Sequence, residues 1–160
     1  MYDLVPISIT GFNRLHEELK QLEKEAAELR KRVSEARELG DLKENGEYIY
    51  GRQELGFIEG RLGELRTKIN RSEKIDCTKV QCDKAVFGTV VTLLNLKTQE
   101  KVKYQLLGPH DADLDMGSIS VFSPVGEAIH GLTVGERAIV KNPRGEWHYE
   151  VLEITKPELA

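Results

Sequence analysis

Cysteine is scarce in this sequence, with only Cys77 and Cys82 in 160 residues. They form an isolated C-x4-C with no second pair, and His110 and His130 lie far off in the chain, whereas a structural zinc site takes four ligands. Free thiols in a reducing compartment are the reading this supports. Long apolar runs are absent too. Nothing approaches the ~20 consecutive apolar residues of a membrane span, and the opening MYDLVPISIT has neither a basic n-region nor a secretory-length apolar stretch. The expectation is a cytoplasmic protein without membrane contact. Positive charge is not in excess: 23 Lys and Arg against 27 Asp and Glu give a net charge of -4, which disfavours polyanion binding through bulk charge but leaves room for a local basic patch. Acids slightly outnumber bases in both halves, so neither half is a charged tail.

What is present divides near residue 76. From Phe12, apolar or small residues fall at Leu15, Leu19, Leu22, Ala26, Leu29, Val33 and Ala36, stepping three and four in alternation. This is a heptad seam, with Glu, Lys, Arg and Gln filling the outer positions and Thr10 as a candidate N-cap. A second seam runs through Tyr48, Gly51, Leu55, Ile58, Leu62, Leu65 and Ile69. Two such helices joined by a short turn fold back antiparallel, and the first alone makes a rod of about 42 Å at 1.5 Å per residue. Gly51, Gly56, Gly60 and Gly63 in the second helix cost roughly 1 kcal/mol each against alanine, an expense that close backbone approach or another surface would have to offset.

Beyond Asp76 the period becomes that of strands. VFGTVVTLLNL and KVKYQLLG make one hairpin around Lys97 to Glu100, and ERAIVK and EWHYEVLEI make another around the turn NPRG. A short helix starts at Ser123. The expected fold class is α+β: a coiled-coil hairpin over residues 1–76 and an antiparallel sheet domain with one short helix over 77–160.

Within the turn of the hairpin, residues 40–47, GDLKENGE places Asp41, Glu44 and Glu47 together with only Lys43 as a nearby opposite charge. Two readings stand side by side. Gly40 suits a helix end, and Asp41-x-x-Glu44 has the spacing of a capping box at the start of the next helix. The same spacing puts the two carboxylates on one helical face, with Cβ atoms ~5 to 6 Å apart, where both can reach one ion. Mg²⁺ takes about six oxygen ligands, so two exposed carboxylates would be half a site.

The run EARELGDLKENGEYIYGRQELGFIEGRL, Glu35 to Leu62, and the later SISVFSPVGEAIHGLTVGE, Ser118 to Glu136, resemble the two signature regions of the Gre transcript cleavage factor family. The likeness spans essentially the whole chain, including ITGFNRLHEEL. It implies a C-terminal FKBP-like domain that docks on bacterial RNA polymerase. It also implies a hairpin that enters the polymerase secondary channel, where the positions matching Asp41 and Glu44 complete a second Mg²⁺ shared with the active centre. On that resemblance the factor is no enzyme itself, and it holds no metal tightly alone. It acts on the extruded RNA 3′ end and stimulates the polymerase's own cleavage, and a monomer fits single-file entry into a channel. The sequence departs from the family pattern at Gly46, where alanine is usual, and at Ile49, Tyr50 and Gly51, where small residues are common, so a looser tip is expected.

Basic residues on the hairpin read in two ways. Arg30, Lys31 and Arg32 fit heptad surface positions that serve solvation and interhelical pairing. If Ala36 faces Gly51, Arg37 and Arg52 come to similar height about 10 Å below the tip, a suitable place for an RNA phosphate. Tyr48 lies on the seam and packs, whereas Tyr50, off the seam, is free to stack on a base. Competing functions are a channel-binding factor that alters pausing without cleavage, a standalone nuclease, and a peptidyl-prolyl isomerase. The last needs a concave aromatic pocket, for which the second domain offers only Phe87, Tyr104, Phe122, Trp147 and Tyr149.

Overall fold

The computed structural model describes residues 4–39 and 46–160. The chain forms two compact units, Asn13–Arg71 and Met1–Phe12 with Ser72–Ala160. Residues 1–12 and 72–76, expected with the hairpin, therefore belong to the sheet unit. The cause is a pair of short parallel strands, β1 (Val5–Ser8) and β2 (Ser72–Ile75), that pair from Val5 with Ser72 to Ser8 with Ile75. Neither has an apolar alternation long enough to signal a strand by itself. The carboxylate of Asp111 holds this region to the main sheet by accepting the N–H of Ser8 at 2.8 Å and that of Gly108 at 2.7 Å.

Helix α1 covers Ile9–Glu38 and α2 covers Gly46–Asn70. The cap of α1 is Ser8, not the expected Thr10: the Ser8 hydroxyl accepts the Gly11 N–H at 2.9 Å. Thr10 already lies inside the helix, and its N–H and hydroxyl donate to the Ala160 carbonyl at 3.1 and 2.6 Å. Every seam position of both helices is buried or half-buried. Off the seams, all described residues except Ile9, Thr10, Gly11, Glu18, Arg61 and Lys68 are exposed. The helices run antiparallel: Glu18 and Glu23 of α1 meet Arg61 and Arg66 of α2, Arg30 meets Glu59, and Val33 lies against Gly51. Gly51 thus faces Val33, one turn away from the expected Ala36. A Cβ on Gly51 would stand 2.8 Å from the Val33 Cγ2, so close packing explains this glycine. It does not explain Gly56, Gly60 and Gly63, whose missing Cβ positions open on empty space.

The second unit is a five-stranded sheet in the order β5-β4-β3-β7-β6, built from β3 (Val90–Asn95), β4 (Lys101–Leu107), β5 (Ser118–Ser120), β6 (Arg137–Asn142) and β7 (Gly145–Thr155). The two expected hairpins are present, joined centrally by antiparallel pairing of β3 with β7. The sheet is mixed and not purely antiparallel, because β5 pairs parallel to β4. After β4 the chain turns back through a 3₁₀ turn at Leu114–Met116 and a left-handed Gly117, so three residues re-enter alongside β4 in its own direction. Helix α3 (Pro124–Ile129) starts as expected on Ser123, whose hydroxyl accepts the Gly126 N–H at 3.1 Å. Ile129 of α3 packs with Val91, Leu93, Leu106, Val140 and Val151 in the core of the sheet.

Candidate functional site

The end of the hairpin is built by where its helices stop. Helix α1 ends at Glu38 and α2 begins at Gly46. Asp41 and Glu44 fall between these ends, outside the described residues. Their described flanks are open, with Leu39 76% exposed and Glu47 exposed in the first turn of α2.

Two grooves run along the hairpin beside these flanks. One, of about 590 Å³, is lined by Arg30, Arg37, Tyr48, Arg52 and Glu59. The structure therefore brings Arg37 and Arg52 together. It adds Arg30, expected to serve solvation and pairing; its signal is its place seven residues before Arg37, two turns along the same face. Arg30 does pair across the hairpin with Glu59 at 3.3 Å, an exposed contact worth at most about 1 kcal/mol. Arg52 lies over the ring of Tyr48, 5.7 Å from its centroid, and its Nη1 donates to the Tyr48 hydroxyl at 3.3 Å. The i, i+4 spacing of Tyr48 and Arg52 makes them neighbours on α2.

Tyr50 is not part of this group. Two residues beyond Tyr48, it is turned by roughly 200° about the helix axis. It lines a separate groove of about 650 Å³ with Leu29, Arg32, Ala36, Leu39 and Glu47, and is 74% exposed. Below both grooves the hairpin is clamped by Arg61, which donates to Glu18 at 2.6 Å and to Glu64 at 3.4 Å. The hydrogen bond to Glu18 raises the guanidinium pKa against the opposing effect of desolvation.

Among the described residues, no three His, Cys, Asp or Glu side chains converge to hold a metal. Cys77 is buried and its thiol is pushed up to about 11, first by burial and then by Asp111 and Asp76. It is a neutral packing group. Of the five aromatics the second domain offers for a prolyl isomerase pocket, Phe87 and Tyr104 pack against the core and Tyr149 is buried in it, while Phe122 and Trp147 are exposed.

Both halves of the chain match known families. Residues 5–73 match "Transcription elongation factor, N-terminal", and residues 80–156 match "Transcription elongation factor, GreA/GreB, C-term". Transcription elongation factor GreA of Desulfotalea psychrophila is 44% identical over 161 residues, covering 100% of both chains. The protein of that name from Thermodesulfovibrio yellowstonii is 40% identical over 97% of this chain and 99% of its own.

The chain belongs to the GreA/GreB family of transcription elongation factors.

Among solved structures, the GreA factor homolog 1 (Gfh1) of Thermus thermophilus is similar at 26% identity over 94% of this chain and 98% of its own, with a TM-score of 0.45. Within the family frame, the N-terminal match spans the whole of α1 and α2, grooves included, and the C-terminal match spans the five-stranded sheet. No helix among the described residues is long and apolar enough to cross a membrane.

Proposed function

We propose that this family member binds bacterial RNA polymerase, passes its hairpin into the secondary channel, and stimulates the polymerase's hydrolysis of backtracked RNA. The observation that carries the reading is that the two helices of an elongation-factor hairpin end on either side of Asp41 and Glu44, with open flanks at Leu39 and Glu47. Carboxylates fit Mg²⁺, a hard cation that takes oxygen ligands, but two of them fall short of its full set. Asp41 and Glu44 would hold the ion jointly with the polymerase. When bound, Mg²⁺ supplies charge stabilisation at the scissile phosphate.

The chain's own contribution is positional. The carboxylates accept hydrogen bonds from the attacking water and orient it at the phosphorus. Water oxygen bonds to phosphorus as the transcript's 3′ oxygen leaves and takes up a proton, so the retained RNA ends in a 3′ hydroxyl. Arg37 and Arg52, with Arg30, hold phosphates of the extruded RNA in the cationic groove, while Tyr50 offers a stacking face on the other. The test uses stalled elongation complexes with Asp41→Ala and Glu44→Ala variants. Loss of stimulated cleavage with polymerase binding retained supports the reading; full stimulation by both variants leaves a channel-binding factor that acts on pausing alone.

A further inference from the structure

A separate cavity lies in the sheet unit, at the end where the β3–β4 turn and the β6–β7 turn stand side by side. It has a volume of about 320 Å³ and is lined by Asn95, Lys97, Thr98, Arg144, Glu146 and Trp147, together with Gly145. That volume is at the lower end of small-ligand sites and matches a single nucleotide unit in scale.

Its base is a built feature. Asn95 is only 7% exposed, and its Oδ1 accepts the backbone N–H groups of Lys97 and Thr98 at 3.0 and 3.2 Å. Those two bonds fix which end of the amide is oxygen, and leave Nδ2 as the end with donors to offer. The lining carries the cations of Lys97 and Arg144, neither in an ion pair among the described residues. It also carries Trp147, 47% exposed and held by stacking on Tyr149 at 6.4 Å and 22°. Glu146 is the one carboxylate of the lining, so two cations against it leave the cavity's balance positive.

An aromatic face, two cations and an amide donor within one small cavity are the elements that recognise a ring joined to a phosphate: stacking for the ring, charge-assisted hydrogen bonds for the anion. We infer that this cavity binds a nucleoside phosphate, its base against Trp147 and its phosphate between Lys97 and Arg144. Such a unit could come from a free nucleotide or from a single-stranded RNA chain, and the chemistry of recognition is the same.

Trp147 is the only tryptophan, so its fluorescence in the full-length protein reports on this cavity directly. Titration with GMP, with ATP and with a short single-stranded oligonucleotide is expected to quench it saturably below about 1 mM. Quenching by the mononucleotides identifies a free nucleotide as a sufficient ligand, and quenching by the oligonucleotide alone identifies a nucleic-acid chain; both support the inference. Asn95→Asp keeps the acceptor that Lys97 and Thr98 use, so the turn folds, but replaces the donors with negative charge. It is expected to weaken binding by at least about tenfold, as is Arg144→Glu, with the thermal midpoint of Asn95→Asp unchanged. No quenching by any of the three ligands, equal quenching by inorganic phosphate, or unaltered binding by both variants would overturn it.

Discussion

Two carboxylates contribute to the acid stability of the sheet unit. Asp76 accepts the Thr78 hydroxyl at 2.6 Å and its N–H at 3.0 Å, and these bonds hold its carboxyl below the usual range. Glu136 is lowered in the same way by the hydroxyl and N–H of Thr133, at 2.7 and 2.9 Å. A carboxyl whose pKa is lower folded than unfolded contributes stability above its unfolded pKa, near ~4, and loses it as pH falls through the folded value. The thermal midpoint should therefore drop as pH is taken from about 5 to about 2. Combining Asp76→Asn with Glu136→Gln preserves acceptors but removes both titrations, so the drop should shrink; an identical drop would show that other groups dominate.

At the scale of the element, α2 carries glycines with different causes. Gly51→Ala pushes a methyl against Val33, so its gain in helix propensity should be cancelled or reversed. Gly56→Ala and Gly60→Ala meet open space and should each stabilise by roughly 0.5–1 kcal/mol in chemical denaturation. Destabilisation by the latter pair would reveal a contact on that face. The cationic groove makes a second expectation: Arg52→Ala should slow cleavage in long-backtracked complexes about tenfold while leaving polymerase docking within about twofold. Equal losses in both would place Arg52 in docking instead of RNA holding. Both heptad seams were legible residue by residue, because a two-helix hairpin has one buried stripe per helix and its period is written plainly. Their exact register was not, since Val33 and Ala36 are both small enough to face a glycine. The capping contact of Ser8 was hidden because Thr10, two residues on, carries the same chemistry. The separation of Tyr50 from Arg37 and Arg52 required the helical angle, not the linear spacing.

For the whole molecule, the two long hairpins of the sheet were readable from alternation, whereas β1, β2 and β5 were not. Those three strands are three or four residues long and pair in parallel, so nothing local in their sequences marks the partner. The pairing of β1 with β2 makes the helical hairpin an insertion into the other unit. A protein retaining residues 4–12 and 72–160, with a short linker in place of 13–71, should melt cooperatively and above a fragment of 77–160 alone, because only the former keeps the Ser8–Asp111 and Thr10–Ala160 bonds. Equal midpoints would mean that β1 and β2 add nothing to that unit.

The central claim is that the hairpin brings half of a magnesium ligand set to a polymerase that holds the rest. The Mg²⁺ dependence of RNA cleavage in stalled elongation complexes, compared between the wild-type factor and Asp41→Asn at saturating factor, tests it most directly. A ligand role requires the half-saturating Mg²⁺ concentration to rise several-fold or more in the variant, with maximal cleavage partly regained at high Mg²⁺. An unchanged Mg²⁺ requirement, whatever the cleavage rate, would contradict it.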